Sequence, residues 1–291
     1  MPNRSLLFLA VLCLVGTAAC ASATQARPTP ETTSGRPSDQ PQRIQSIIAD
    51  CMKQKGFKYV AWVPDPKIDD EWKKAASGDY AAMRKERREQ GFGVFFLLAH
   101  PDRKQVLWSE TDSPNFAIEN ELSPAQQTAY DKALTSCKAQ AVKQVTGKVV
   151  KSDEDRAEQE NQMIEQTLDR ELNGDPRLVE LASAMGDCLK GKGYRVDSVK
   201  PVDMSHRGWK EFEEQKKRIA LNDDIPEKDL PDGKYIEPRL APATARQYLA
   251  KEVRAALDDL ECGKDFYAAY MPKQNEISRR VVQLFGGVEL A

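Results

Sequence analysis

From residue 41 onward the apolar positions fall into helical spacing. Ile44, Ile47, Ile48, Cys51 and Met52 occupy i, i+3, i+4, i+7 and i+8, one face of a helix. Lys53 and Lys55 stand in its last turn, where the dipole favours cations, and Gly56 supplies a stop. Phe57 to Val63 alternates as a short strand before Pro64 and Pro66. Residues 69–90 are charged, with Trp72, Tyr80 and Met83 interspersed, and predict a surface helix. Val94-Phe95-Phe96-Leu97-Leu98-Ala99 is the most apolar run outside the N-terminus. With a turn at His100-Pro101-Asp102 and a return through Gln105 to Trp108, it predicts a β-hairpin. Ser123-Pro124 opens another helix, Ser as N-cap and Pro in the first turn, carrying Tyr130, Ala133, Leu134 and Cys137.

The pattern then returns. Residues 152–172 form an acidic helix with a thin stripe of Ala157, Ile164, Leu168 and Leu172, read as an exposed or lightly packed connector. Asp175-Pro176 starts a helix whose buried face is Leu178, Leu181, Met185, Cys188 and Leu189. Cys188-Leu189-Lys190-Gly191-Lys192-Gly193-Tyr194 repeats Cys51-Met52-Lys53-Gln54-Lys55-Gly56-Phe57, each a Cys-x-x-x-Lys-Gly-aromatic motif after an Asp. Tyr194 to Val202 reads as a second strand-like segment, Trp209 to Ile219 as a helix, and Phe266 to Phe285 as two short helices. Leu240-Ala241-Pro242-Ala243 echoes Leu122-Ser123-Pro124-Ala125, with Tyr130 and Tyr248 at the same offset from their prolines. Cys262 lies seven residues further along than Cys137 by that alignment, about two helical turns, so it keeps the same helical face. The expected fold is mainly α with minor β: two tandem related helical repeats, 41–150 and 175–291, joined by a connector at 151–174, with a small hairpin in the first.

The N-terminus carries an address. Arg4 precedes an apolar run from Leu6 to Gly16, the length of a signal peptide and too short to span a bilayer. Thr17-Ala18-Ala19-Cys20 resembles a bacterial lipobox. That resemblance implies a signal peptide over 1–19 and palmitate-type acylation of Cys20, which would hold the chain on the outer face of the cell membrane. Ordinary secretion is the alternative, since Ala21-Ser22-Ala23 also makes a small-x-small cleavage site. Residues 20–40 hold no apolar side chain larger than Pro after Cys20 and read as a disordered tether.

Charge changes the picture little. Lys+Arg 43 against Asp+Glu 45 argues against a nucleic-acid footprint and against a polybasic membrane surface. The cysteines change it more. Cys51, Cys137, Cys188 and Cys262 allow three pairings, and closure within each repeat, Cys51 with Cys137 and Cys188 with Cys262, is the simplest. An extracytoplasmic compartment permits such bonds. A zinc site is the rival, but the chain has no C-x-x-C and only His100 and His206.

Catalytic chemistry finds little footing. Neither histidine sits in an H-E-x-x-H, no G-x-S-x-G occurs, and Gly91-Phe92-Gly93 lacks the spacing of a phosphate loop. Asp69-Asp70-Glu71 and Asp223-Asp224 are acidic clusters without calcium-loop spacing, read as solvated acids. Phe57, Tyr59, Trp62, Trp72, Trp108 and Trp209 read as core or interface residues. No catalytic residue, metal ligand or cofactor is assigned.

The twin motif, together with Gly91-Phe92-Gly93, Ser113-Pro114-Asn115, Leu122 through Cys137 and Glu252 through Cys262, resembles a family of uncharacterised secreted lipoproteins of actinobacteria. Its members carry Cys-Met-x-x-x-Gly-Phe/Tyr, Gly-Tyr-Gly, Pro-Asn and Leu-Ser-Pro…Ala-Tyr…Ala-Leu…Cys segments in that order. The resemblance covers most of the chain after residue 40 and implies a cell-envelope location and no known activity. The expected function is that of a non-catalytic binding or structural module of the envelope, anchored through Cys20 and meeting an envelope protein or cell-wall partner. The alternatives are an extracellular carboxylate-dependent hydrolase and an accessory ligand-binding lipoprotein.

Overall fold

The computed structural model describes residues 39–65, 68–103, 112–221 and 237–288. Its elements, in order, are α1 (Gln40–Gln54), α2 (Asp70–Ala76), α3 (Tyr80–Gln90), α4 (Phe96–Ala99), α5 (Pro114–Asn120), α6 (Pro124–Thr146), α7 (Asp153–Leu172), α8 (Pro176–Gly191), α9 (Pro201–Leu221), α10 (Pro242–Cys262) and α11 (Lys264–Leu284). These helices belong to one compact unit. Cys20, the lipobox and the tether up to residue 38 lie outside the described residues, as do Asp223-Asp224 and Trp108, while Asp39 and Gln40, read as the end of the tether, take the N-cap and first position of α1. Among the described residues no helix is long and apolar enough to cross a membrane.

Local chemistry explains most helix ends. Asp69, Asp79 and Asp175 cap α2, α3 and α8, each side chain accepting backbone N–H groups of the first turn. Before α6, Ser123 donates its backbone N–H to Gln126 at 3.0 Å, and Pro124 fills the first turn as expected. The two repeated motifs end α1 and α8 in the same way. Gly56 N–H donates to Lys53 O at 3.0 Å and Phe57 N–H to Met52 O at 2.9 Å; Gly193 donates to Lys190 O at 2.9 Å and Tyr194 to Leu189 O at 3.0 Å. Both are Schellman caps, and both glycines take φ above +80°. The aromatic that follows each glycine packs against the core that holds the fully buried Met52 or Leu189.

Packing gathers three apolar cores. One holds Leu178, Met185 and Leu189 of α8 with Met204 of α9, Leu260 of α10, Phe266 and Tyr270 of α11, and Leu168 and Leu172 of α7. A second joins Ile44, Ile48, Cys51 and Met52 of α1 to Tyr130, Cys137 and Ala141 of α6, and is completed by Val281 and Phe285 at the end of the chain. The third sets Phe95, Phe96 and Ala99 against Phe212 of α9 and Leu249 of α10. Burying a side chain of this size stabilises by about 1.5–3 kcal/mol. In each half the first helix packs on a late one: α1 on α6, α8 on α10. The sulfurs of Cys51 and Cys137, and of Cys188 and Cys262, are paired at disulfide distance, with Cα atoms 5.7 and 5.5 Å apart.

The expected β-structure is corrected. No strand occurs among the described residues. Val94 to Ala99 forms a turn and the short helix α4, which packs on α10 and buries Phe95, Phe96 and Ala99 while leaving Leu97 exposed; an apolar run this short has no periodicity to separate strand from helix. Gln105 to Trp108, its supposed partner, lies outside the described residues. Phe57 to Val63 has no ladder partner among the described residues and no regular secondary structure, and Val60 bonds through both its backbone groups with the side chain of Asn115, at 2.8 and 2.9 Å. Other readings change too. Residues 69–90 break at Gly78 into α2 and α3. The Tyr194–Val202 segment gives way to α9 at Pro201, and the C-terminal pair is the single helix α11, with Pro272 inside it. On α8, Cys188 is exposed and Leu181 half-buried. The connector α7 is exposed along much of its length but lays Leu168 and Leu172 against α11.

Candidate functional site

α10 packs against α3, α4, α8, α9 and α11, and two acids on its inward side, Glu252 and Asp259, are wholly buried. Around them lies the richest concentration of polar chemistry among the described residues. Seven residues apart, they project from the same side two turns from each other.

Glu252 is held by backbone. Its Oε1 accepts the N–H groups of Phe92 and Val94, both at 2.8 Å, and its Oε2 accepts that of Phe95 at 2.9 Å. The Gly91-Phe92-Gly93 segment makes this cradle possible, because Gly91 and Gly93 take φ of +67° and +91° and turn successive amides inward. A Cβ on Gly91 would sit 2.8 Å from Glu252 Cγ. The glycine pair is therefore an anion loop whose anion is the chain's own carboxylate. Burial pushes the Glu252 carboxyl above the usual range, opposed by the amides of Phe95, Val94, Phe92 and Gly93.

Asp259 is held by cations and a phenol. Arg87 of α3 donates to its Oδ1 at 2.6 Å and to Ala256 O at 3.0 Å; Tyr267 of α11 donates its hydroxyl to the same Oδ1 at 2.7 Å. Arg207 of α9 lies 3.5 Å from Oδ2. The Arg87 guanidinium stands over the rings of Tyr267 and Phe92, with centroids 4.5 and 5.3 Å away, and Arg207 over Tyr194 at 5.4 Å. Burial alone would lower Arg87; Tyr267 and Asp259 raise it well above its ordinary value. Burial raises the Tyr267 hydroxyl, and Asp259 adds to it. The cluster ties α3, α9, α10 and α11 together; Asp259 Oδ1 is committed to Arg87 and Tyr267, while Oδ2 accepts no hydrogen bond among the described residues and has Arg207 3.5 Å away.

The chain matches no protein-family model, no curated protein and no solved structure.

The residues singled out from the sequence are dispersed by comparison. Asp69 caps α2, Asp70 pairs with Lys73, and Glu71 with Lys74 and Lys85. His100 ends α4 with its ring 5.3 Å from that of Phe96. His206 on α9 is half-buried, and burial with Lys210 lowers its pKa. Phe57 packs edge-on against Tyr130 at 5.4 Å, Tyr59 bonds Gln45 at 2.9 Å, Trp62 is half-buried, and Trp72 and Trp209 are exposed. Among the described residues no group of His, Cys, Asp or Glu is arranged to hold a metal ion. A recess of about 400 Å³, open to solvent, is lined by Asp39, Gln42, Arg43, Ser46 and Ile47 on the outer side of α1. Glu252, Asp259 and Arg87 gave no signal in the sequence beyond their position: a buried acid was legible only as a charge on an otherwise apolar helical face.

Proposed function

We propose that the chain is a lipid-anchored module of the cell envelope, held on the outer face of the membrane through Cys20, whose folded part serves as a non-catalytic binding or structural body. The observation that carries the reading is the pair of cysteine bonds at matching places in the two halves, Cys51 with Cys137 and Cys188 with Cys262. Such bonds persist in oxidising compartments, and the lipobox-like Thr17-Ala18-Ala19-Cys20 supplies a route to one. The polar cluster supports the non-catalytic half of the reading, since Glu252 is spent on backbone amides and Asp259 is wholly buried beside Arg87 and Tyr267, so that neither carboxylate faces solvent.

The test is incorporation of an alkyne-bearing palmitate analogue by cells making the full chain or its Cys20→Ser variant. Label on the wild type, with the protein in the membrane fraction, and an unlabelled variant released to the medium is the expected result. Equal fractionation of both chains without label on either overturns the anchor.

A further inference from the structure

The two cysteine bonds differ in access. Cys137 is completely buried and Cys51 almost so, both inside the core that joins α1 and α6. Cys188 is exposed on the outer side of α8, and Cys262 is half-buried as the last residue of α10, next to Gly263. The aligned cysteines are offset by two helical turns, and the offset carries the second bond from mid-helix to a helix end.

The seam that the second bond crosses is also held without it. Tyr194, just past α8, donates its hydroxyl to Asp258 of α10 at 2.7 Å. Lys192 reaches Asp258 at 2.9 Å and Glu261 at 3.0 Å. Beneath these polar ties, Met185 and Leu189 pack in one core with Leu260. α8 is therefore fixed to α10 by contacts that survive loss of the covalent link.

We infer that Cys188–Cys262 is a thiol–disulfide exchange site open in the folded protein, its co-reactant a dithiol, and that Cys51–Cys137 is closed to exchange until the α1/α6 core opens. A thiolate of the dithiol attacks Cys188 Sγ, the exposed end; a mixed disulfide forms, and Cys262 leaves as a thiolate and takes up a proton. The second thiol of the reagent, as thiolate, attacks its own partner sulfur in the mixed disulfide, and Cys188 leaves and is protonated. The chain gains two electrons and two protons, and the dithiol becomes a disulfide. Run in reverse by an oxidised dithiol, the same steps close the bond after folding. The inference does not depend on the lipid anchor.

The experiment takes the oxidised chain with both bonds intact into dithiothreitol at neutral pH without denaturant, quenches with iodoacetamide at timed intervals and locates the alkylated cysteines by peptide mass. Cys188 and Cys262 are expected to be modified at least about tenfold faster than Cys51 and Cys137, whose sulfurs are reached only through local opening, while helical circular dichroism is retained. Equal rates, or helicity lost in step with modification of Cys188, overturn the inference. A Cys188→Ser/Cys262→Ser variant is expected to fold with wild-type helicity and to lack the fast phase. Failure of that variant to fold, or a fast phase that persists in it, also overturns the inference.

Discussion

Glu252 and Asp259 are both wholly buried acids, yet they depend on different partners and answer differently to substitution. Arg87→Ala removes the cation bonded to Asp259 at 2.6 Å and leaves a buried carboxylate short of charge; a loss of about 3–5 kcal/mol is expected in urea unfolding. Glu252→Ala strands three amides at a cost of about 1–3 kcal/mol for each that water does not reach. The glycines divide in the same manner. Gly193 has open space around its would-be Cβ, so Gly193→Ala costs only the left-handed backbone, about 1 kcal/mol. Gly91→Ala carries that cost and a collision with Glu252, and its urea midpoint should fall further. Equal midpoints for the two alanine variants would mean that the cradle around Glu252 is not tight.

At the scale of elements, α7 and α8 are fastened to α11 by charge. Glu171 meets Arg280 at 2.8 Å, and Asp175 meets Lys273. Lys273 and the Leu178 amide hold the Asp175 carboxyl below its usual range, and Arg280 with Arg170 does the same for Glu171. A depressed carboxyl contributes stability that is present above the unfolded-state value, about 4, and is lost as pH falls through the folded value. Melting temperature should therefore drop below about pH 4, and the drop should shrink in a Lys273→Ala/Arg280→Ala variant, as scanning calorimetry across acid pH would show. Helices such as α1, α6 and α8 were legible because a 3.6-residue period agreed with an end signal: Gly56 for α1, Ser123-Pro124 for α6, and Asp175-Pro176 with Gly193 for α8. The Val94–Ala99 run was not, since six apolar residues between a glycine and a proline satisfy a buried strand and a buried helical turn alike. Nor was the cradle of Glu252, because its amides lie about 160 positions earlier in the chain and a backbone donor has no residue signature.

For the whole molecule, the within-half pairing of cysteines followed from the repeat, while the interlocking of the halves did not. α3 and α4 from the first half pack on α10 of the second, and the α1/α6 core closes only with Val281 and Phe285. Each cysteine bond spans a long loop, 86 and 74 residues, so chain entropy sets an upper figure of about 4–5 kcal/mol for each. Cys51→Ala/Cys137→Ala should approach that figure in chemical unfolding. α1 then rests chiefly on its apolar packing against α6, whereas α8 keeps α9, α10 and α11 as neighbours when Cys188 and Cys262 are replaced.

The reach of α10 also imposes a timetable. Arg87 is made 172 residues before Asp259. At roughly 5–20 residues per second, a ribosome takes about 10–30 s to deliver the acid after the arginine. Throughout that interval Phe95, Phe96 and Arg87 lack the face of α10 on which they pack. The late arrival of one helix leaves α3 and α4 waiting on the last fifth of the chain for the surface that buries them.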